Sequence, residues 1–258
     1  MSVLAADLRR AFCSHSFLLA AGALCLCLVL SQFVVLRAVL SGGTDIAGQP
    51  DYGAALCLQA SQEDVFLAVL PLGAALPFTS AFAEDVESRF ERFWLPRCGR
   101  RACLNSRILA AALAGGSAVC LGELMAAAVM TLLILPAASG LEPAGDALAG
   151  QLLAAAWLEK LTLSFLDGAL FALIGLLSAA VTESRYMAWT VPFVSYYLLV
   201  ILTERYFPSL YALDPNEWLS PGPSWQAGIL GPAVIMGEFI CILVLVSGSL
   251  MQRRLEDV

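Results

Sequence analysis

Glu123, Asp167 and Glu238 each fall inside a long apolar run. A charged side chain at the centre of a membrane helix costs roughly 2.5–3.5 kcal/mol on insertion scales, so such groups face protein or water rather than lipid. Two chemistries are open to them. They line a polar path for a substrate or a proton, or they are protonated or hydrogen-bonded between helices, helped by the small neighbours Gly115, Gly116, Gly122, Gly168 and Gly237. Asp167–Gly168 stands out, because a glycine beside the carboxyl also lets another helix approach.

Other reactive chemistries lack their residues. His15 is the sole histidine and precedes the first apolar run, which removes a membrane-embedded Ser–His pair and an H-E-x-x-H metal site. An aspartyl protease needs two facing membrane aspartates, and only Asp167 qualifies. Lys160, the only lysine, stands between Glu159 and Leu161 with no glycine beside it, so the chain has no phosphate-cradling P-loop. Cys98 and Cys103 offer two ligands where structural zinc takes four. Cys25, Cys27, Cys120 and Cys241 lie in apolar runs, where cysteine behaves as a small hydrophobe. Cys57 falls in a polar loop with no cysteine partner on its side. Neither a metal, a resident cofactor nor an enzyme active site is expected.

The elements that hold these carboxyls are membrane helices. The chain is 60% hydrophobic and 14% charged, with a mean hydropathy of +0.81. Spanning a bilayer takes about 20 apolar residues in a helix, and six runs qualify: 17–40, 64–82, 108–135, 152–181, 187–202 and 229–251. They are too long and too evenly apolar for barrel strands. The expected fold is an all-α polytopic membrane domain covering 1–258. The first run follows Arg9 and Arg10, but it is too long for a signal peptide and lacks a small-residue cleavage site, so it reads as an uncleaved helix.

Arginine placement orients the bundle. With the N-terminus inside, Arg9, Arg10, Arg89, Arg92, Arg97, Arg100, Arg101, Arg107, Arg185, Arg253 and Arg254 fall on the inner side, against Arg37, Lys160 and Arg205 outside. Both termini are then cytoplasmic, and much of the net charge of −7 faces outward, which gives no support to a nucleic-acid role. Residues 1–16 carry Leu4, Leu8, Ala11 and Phe12 on one helical face. They read as an amphipathic segment lying on the inner lipid interface or as an extension of the first helix. Ser41–Gln62 reads as a Gly-rich outer loop, and the fourth span as starting near Leu161, past Glu159 and Lys160. In the last outer loop Tyr206, Tyr211, Trp218 and Trp225 suit a headgroup belt.

The inner loop 83–107 concentrates the charge. Val86, Phe90, Phe93 and Trp94 form one apolar stripe on a short helix, with Asp85 and Arg89 as an i,i+4 pair on its flank. Such a helix docks in a groove of a soluble partner or folds its aromatics against the membrane interface. The layout, and the series Phe82, Glu84, Asp85, Leu95, Pro96, Arg97, Arg101, Leu104 and Arg107, resemble the permease subunits of type-2 ABC exporters. Leu213–Leu219 (LDPNEWL) is similar to the stretch before their sixth helix, whereas Ser88–Arg89 stands where a glycine is common. The resemblance implies a dimer, homo- or heteromeric, in a bacterial cytoplasmic membrane. It implies a coupling helix at the inner loop, with Glu84, Asp85, Arg89, Phe90, Phe93 and Trp94 contacting a separate ABC ATP-binding subunit. ATP and magnesium would be held by that subunit, and the cargo would be a peptide, drug or lipid-like molecule moved outward. The rival classes are an ion-coupled secondary transporter or channel using Glu123, Asp167 and Glu238, and a scaffold subunit without transport.

Overall fold

The computed structural model describes residues 3–41, 52–87, 99–138, 147–207, 209–222, 225 and 228–256. Among them there is no strand. The helices are α1 (Val3–Phe12), α2 (His15–Ser31), α3 (Phe33–Leu40), α4 (Tyr52–Ala60), α5 (Asp64–Ala75), α6 (Ala81–Glu87), α7 (Arg100–Ala138), α8 (Ala147–Thr182), α9 (Arg185–Ile201), α10 (Pro215–Leu219) and α11 (Leu230–Glu256). Four segments are long and apolar enough to cross a membrane: Arg101–Leu135, Gly150–Thr182, Arg185–Tyr206 and Leu230–Arg253. The count rises to six if the bent pairs α1–α2 (47°) and α4–α5 (78°) each form one span. These are the lengths and composition of a multi-pass membrane protein.

The pair α7–α8 is the spine. α2, α4 and α1 pack on α7, while α11, α9 and α5 pack on α8. Glycine sets how closely the spine closes. A Cβ on Gly115 would lie 2.4 Å from Ala172 Cβ, and one on Gly168 would lie 3.0 Å from Gly116 Cα, so the backbones touch where a larger residue has no room. The expected helix approach at Gly168 is present. At 39 residues α7 runs about 58 Å at 1.5 Å per residue, which outreaches a hydrocarbon core of about 30 Å. Part of α7 therefore extends past that core.

Local chemistry breaks the apolar runs in places that composition conceals. Ser14 caps α2 by accepting from the Phe17 amide at 3.1 Å, which separates α1 as its own bent helix rather than an extension of α2. The run 17–40 is interrupted at Gln32, whose buried side-chain amide donates to Glu63 at the α4–α5 bend. The reading of Ser41–Gln62 as one loop is corrected, because Tyr52–Ala60 is helical and buries Leu56, Cys57 and Ala60. Its small and apolar residues pack against α7: a Cβ on Gly53 would meet the Thr131 backbone at 2.6 Å. The run 64–82 is likewise two helices, since α5 ends at Ala75 and turns precede α6. At the α8–α9 junction Glu183 takes φ 55° and its amide donates to Ala179 O at 2.9 Å, which makes the tight turn there.

The loop after α9 folds back into the bundle. Asp214 caps α10 by accepting from the Asn216 amide at 3.0 Å, with Pro215 at the first helical position. Tyr196 donates its hydroxyl to Asn216 Oδ1 at 2.8 Å, fastening α10 to α9. Trp218 is fully buried and donates to Ala212 O at 2.9 Å. Its expected place in a headgroup belt is corrected, because its ring lies beside Phe239 of α11, centroids 6.1 Å apart. Trp225 is buried as well.

Candidate functional site

Charged side chains are buried in two places, and the first is the middle of the spine. Along α7, Gly116, Cys120 and Glu123 recur at i, i+4, i+7, so all three face α8. Cys120 Sγ lies 3.3 Å from Leu161 O, and Ser164 donates its hydroxyl to Glu123 Oε1 at 2.8 Å. Lys160, Ser164 and Asp167 follow the same spacing on α8. Glu123, Lys160, Ser164 and Asp167 are all buried.

Lys160 ends on backbone carbonyls. Its ammonium donates to Ser61 O at 3.1 Å and to Leu219 O at 3.5 Å. One residue of α8 therefore ties the α4–α5 bend to α10. Two buried oxygens of this group, Glu123 Oε2 and Asp167 Oδ1, have no hydrogen-bond partner. Cys57 points its Sγ at Glu123 O, 3.6 Å away, so its expected place in an outer loop is corrected to the wall of this site. A crevice of about 390 Å³ reaches Lys160 past Gln62, Glu159 and Ser220.

The second place is the arginine-rich end. Asp85 is buried on α6 between two arginines: Arg10 of α1 donates to its two oxygens at 3.0 and 3.1 Å, and Arg107 of α7 pairs with it as well. Arg107 is buried and stands 6.0 Å from the Phe82 ring centroid, at the edge of cation–π range. Glu84 lies 3.6 Å from Arg10 and accepts from Ser80 Oγ at 2.9 Å. On the surface Arg185 pairs with Glu87 at 2.5 Å, linking α6 to the α8–α9 turn.

No protein-family model matches the chain, and no curated protein or solved structure matches it either. The geometry is thus the whole of what speaks to function. It brings Glu123 and Asp167 to one centre. Glu238 is exposed on α11, where it faces away from that kind of burial. Of the loop residues, Glu84 and Asp85 are placed as described, while Arg89, Phe90, Phe93 and Trp94 lie outside the described residues. The carboxylate of Asp85 is spent on Arg10 and Arg107, so it anchors α6 from inside rather than presenting a surface. Lys160 was missed in the sequence, although its i, i+4, i+7 relation to Ser164 and Asp167 could have found it. Arg10 had no such signal, because its partner is 75 residues away.

Proposed function

We propose that the chain is the membrane-spanning permease subunit of a type-2 ABC exporter. It works as a homo- or heterodimer in a bacterial cytoplasmic membrane, with both termini inside and each bent helix pair serving as one of six spans. The observation that carries this reading is the convergence of Phe82, Asp85 and Arg107, the outer members of the charged-loop series, at one end of the bundle. α6 ends at Glu87 and α7 starts at Arg100, so both helices that flank the loop carry a member of that clamp. The clamp gives the intervening segment a stiff base. Force applied there by an ATP-binding subunit passes through Arg107 into α7 and through Arg10 into α1.

A P-loop is lacking in this sequence, so the ATP and magnesium belong to the partner subunit, and this chain is no enzyme by itself. The cargo fits the class of peptides, drugs or lipid-like molecules. Purification of the tagged chain from its native membrane in mild detergent, followed by mass spectrometry, tests the reading. A stoichiometric soluble P-loop ATPase is expected. A chain recovered alone and intact would favour an ion-coupled secondary transporter or channel, the reading that the buried Glu123 and Asp167 support.

A further inference from the structure

The centre between α7 and α8 has a charge imbalance that its surroundings do not correct. Glu123 and Asp167 would contribute two negative charges against the single positive charge of Lys160. The titratable groups around it are Cys120 on α7, Cys57 on α4, Cys25 on α2, Asp64 on α5 and Tyr196 on α9, Asp214 and Glu217 at α10, and Glu159 at the crevice. None of these carries a positive charge. Arg37 of α3, Arg205 after α9 and Glu238 of α11 are exposed. With all three groups ionised, the middle of the bundle would hold a net negative charge away from water, which is costly. With one carboxyl protonated, it is neutral.

We propose that this centre binds one exchangeable proton, carried on Asp167, and that the proton reaches it through the crevice beside Lys160. Glu123 is the better ion of the two, since it already accepts a hydrogen bond from Ser164. Asp167 Oδ1 meets no donor. The crevice of about 390 Å³ runs past Gln62, Glu159, Leu219 and Ser220 to Lys160, at the end of the bundle away from the Asp85 clamp. The crevice lining stops at Lys160, about two helical turns from Asp167 on the same face of α8; loss of the Asp167 proton to solvent on that side takes the centre from neutral to a single negative charge. The second carboxylate then draws the ammonium inward, away from Ser61 O and Leu219 O. Losing the proton thus loosens the hold of α8 on the α4–α5 bend and on α10. The proposal goes beyond the permease reading and does not rest on it.

Difference infrared spectroscopy on the full-length protein in lipid nanodiscs counts the proton. A protonated carboxyl stretch is expected at neutral pH that fades as pH rises. Asp167→Asn should abolish it, because Lys160 and Glu123 then balance. Lys160→Met should about double it, because both carboxyls must then be neutral. If Asp167→Asn does not fold, Lys160→Met carries the same test. Absence of the band from the wild-type protein, or indifference of the band to both substitutions, would overturn the proposal. The latch is read by labelling Ser220→Cys with a polar maleimide and mapping the site by peptide mass. Its rate should climb more steeply with pH in the wild-type background than in Asp167→Asn, several-fold at the pH where the band is lost. Equal pH profiles in the two backgrounds would overturn the link between the proton and α10.

Discussion

At the arginine-rich end one buried carboxylate, Asp85, is met by two guanidiniums, whereas in the middle of the spine two carboxyls share one ammonium. The first arrangement ties α1, α6 and α7 together through opposite charges. The second leaves Glu123 Oε2 and Asp167 Oδ1 without partners and spends the cation on backbone carbonyls. A buried ion pair with good geometry holds elements in register, and breaking it from one side exposes the other ion to a dry interior. An incomplete set of charges holds little and has room to change state. The contrast separates a mechanical clamp from a responsive centre, although both use the same residue types.

The largest effect that could break this contrast is expected at the clamp. Asp85→Ala removes the carboxylate that faces Arg10 and the buried Arg107 and should cost about 3–5 kcal/mol of folding stability, read as a fall in unfolding midpoint in detergent. Adding Arg107→Leu should restore much of it, and additive losses in that double-mutant cycle would contradict the clamp. Gly115→Leu comes next: forcing a side chain against Ala172 should cost about 1–3 kcal/mol, while Gly237→Ala, with open space around it, should stay within about 0.5 kcal/mol. At the centre Lys160→Met should cost less than Asp85→Ala, because the carboxyls it leaves behind take up protons rather than stay buried as bare ions. A loss as large as that of Asp85→Ala would erase the distinction between the two regions. Smallest of all, Arg185→Gln should leave the unfolding midpoint unchanged, since that pair is solvated.

How far the sequence could be read follows the same physics. Helix class and the bulk of α7, α8, α9 and α11 are written in uninterrupted apolar length, which any bilayer requires. The small-residue approach at Gly168 was legible because glycine beside a buried carboxyl has few other uses. The breaks were hidden: Ser14 and Gln32 act through single hydrogen bonds, and Tyr52–Ala60 follows a Gly-rich stretch that reads as loop until α7 is there to pack against. Trp218 looked like an interfacial aromatic because burial of a loop tryptophan depends on the chain folding back, which no local pattern encodes. Lys160 was assigned to the outer flank by charge counting, a rule that treats every cation as a solvated one. Asp85 was paired with Arg89 by helical spacing; Arg89 lies outside the described residues, and the partners described for Asp85 come from α1 and α7, which no local pattern encodes.

The central claim is that the segment springing from the Asp85 clamp is where a separate ATPase pushes on this chain. A photoreactive amino acid placed at Phe93, with Tyr197 on the exposed face of α9 as control, tests it in native membranes. The expected result is a cross-link from position 93 to a P-loop ATPase, absent from position 197 and lost on Phe90→Asp while membrane insertion is kept. Cross-linking of position 93 to lipid alone would contradict it.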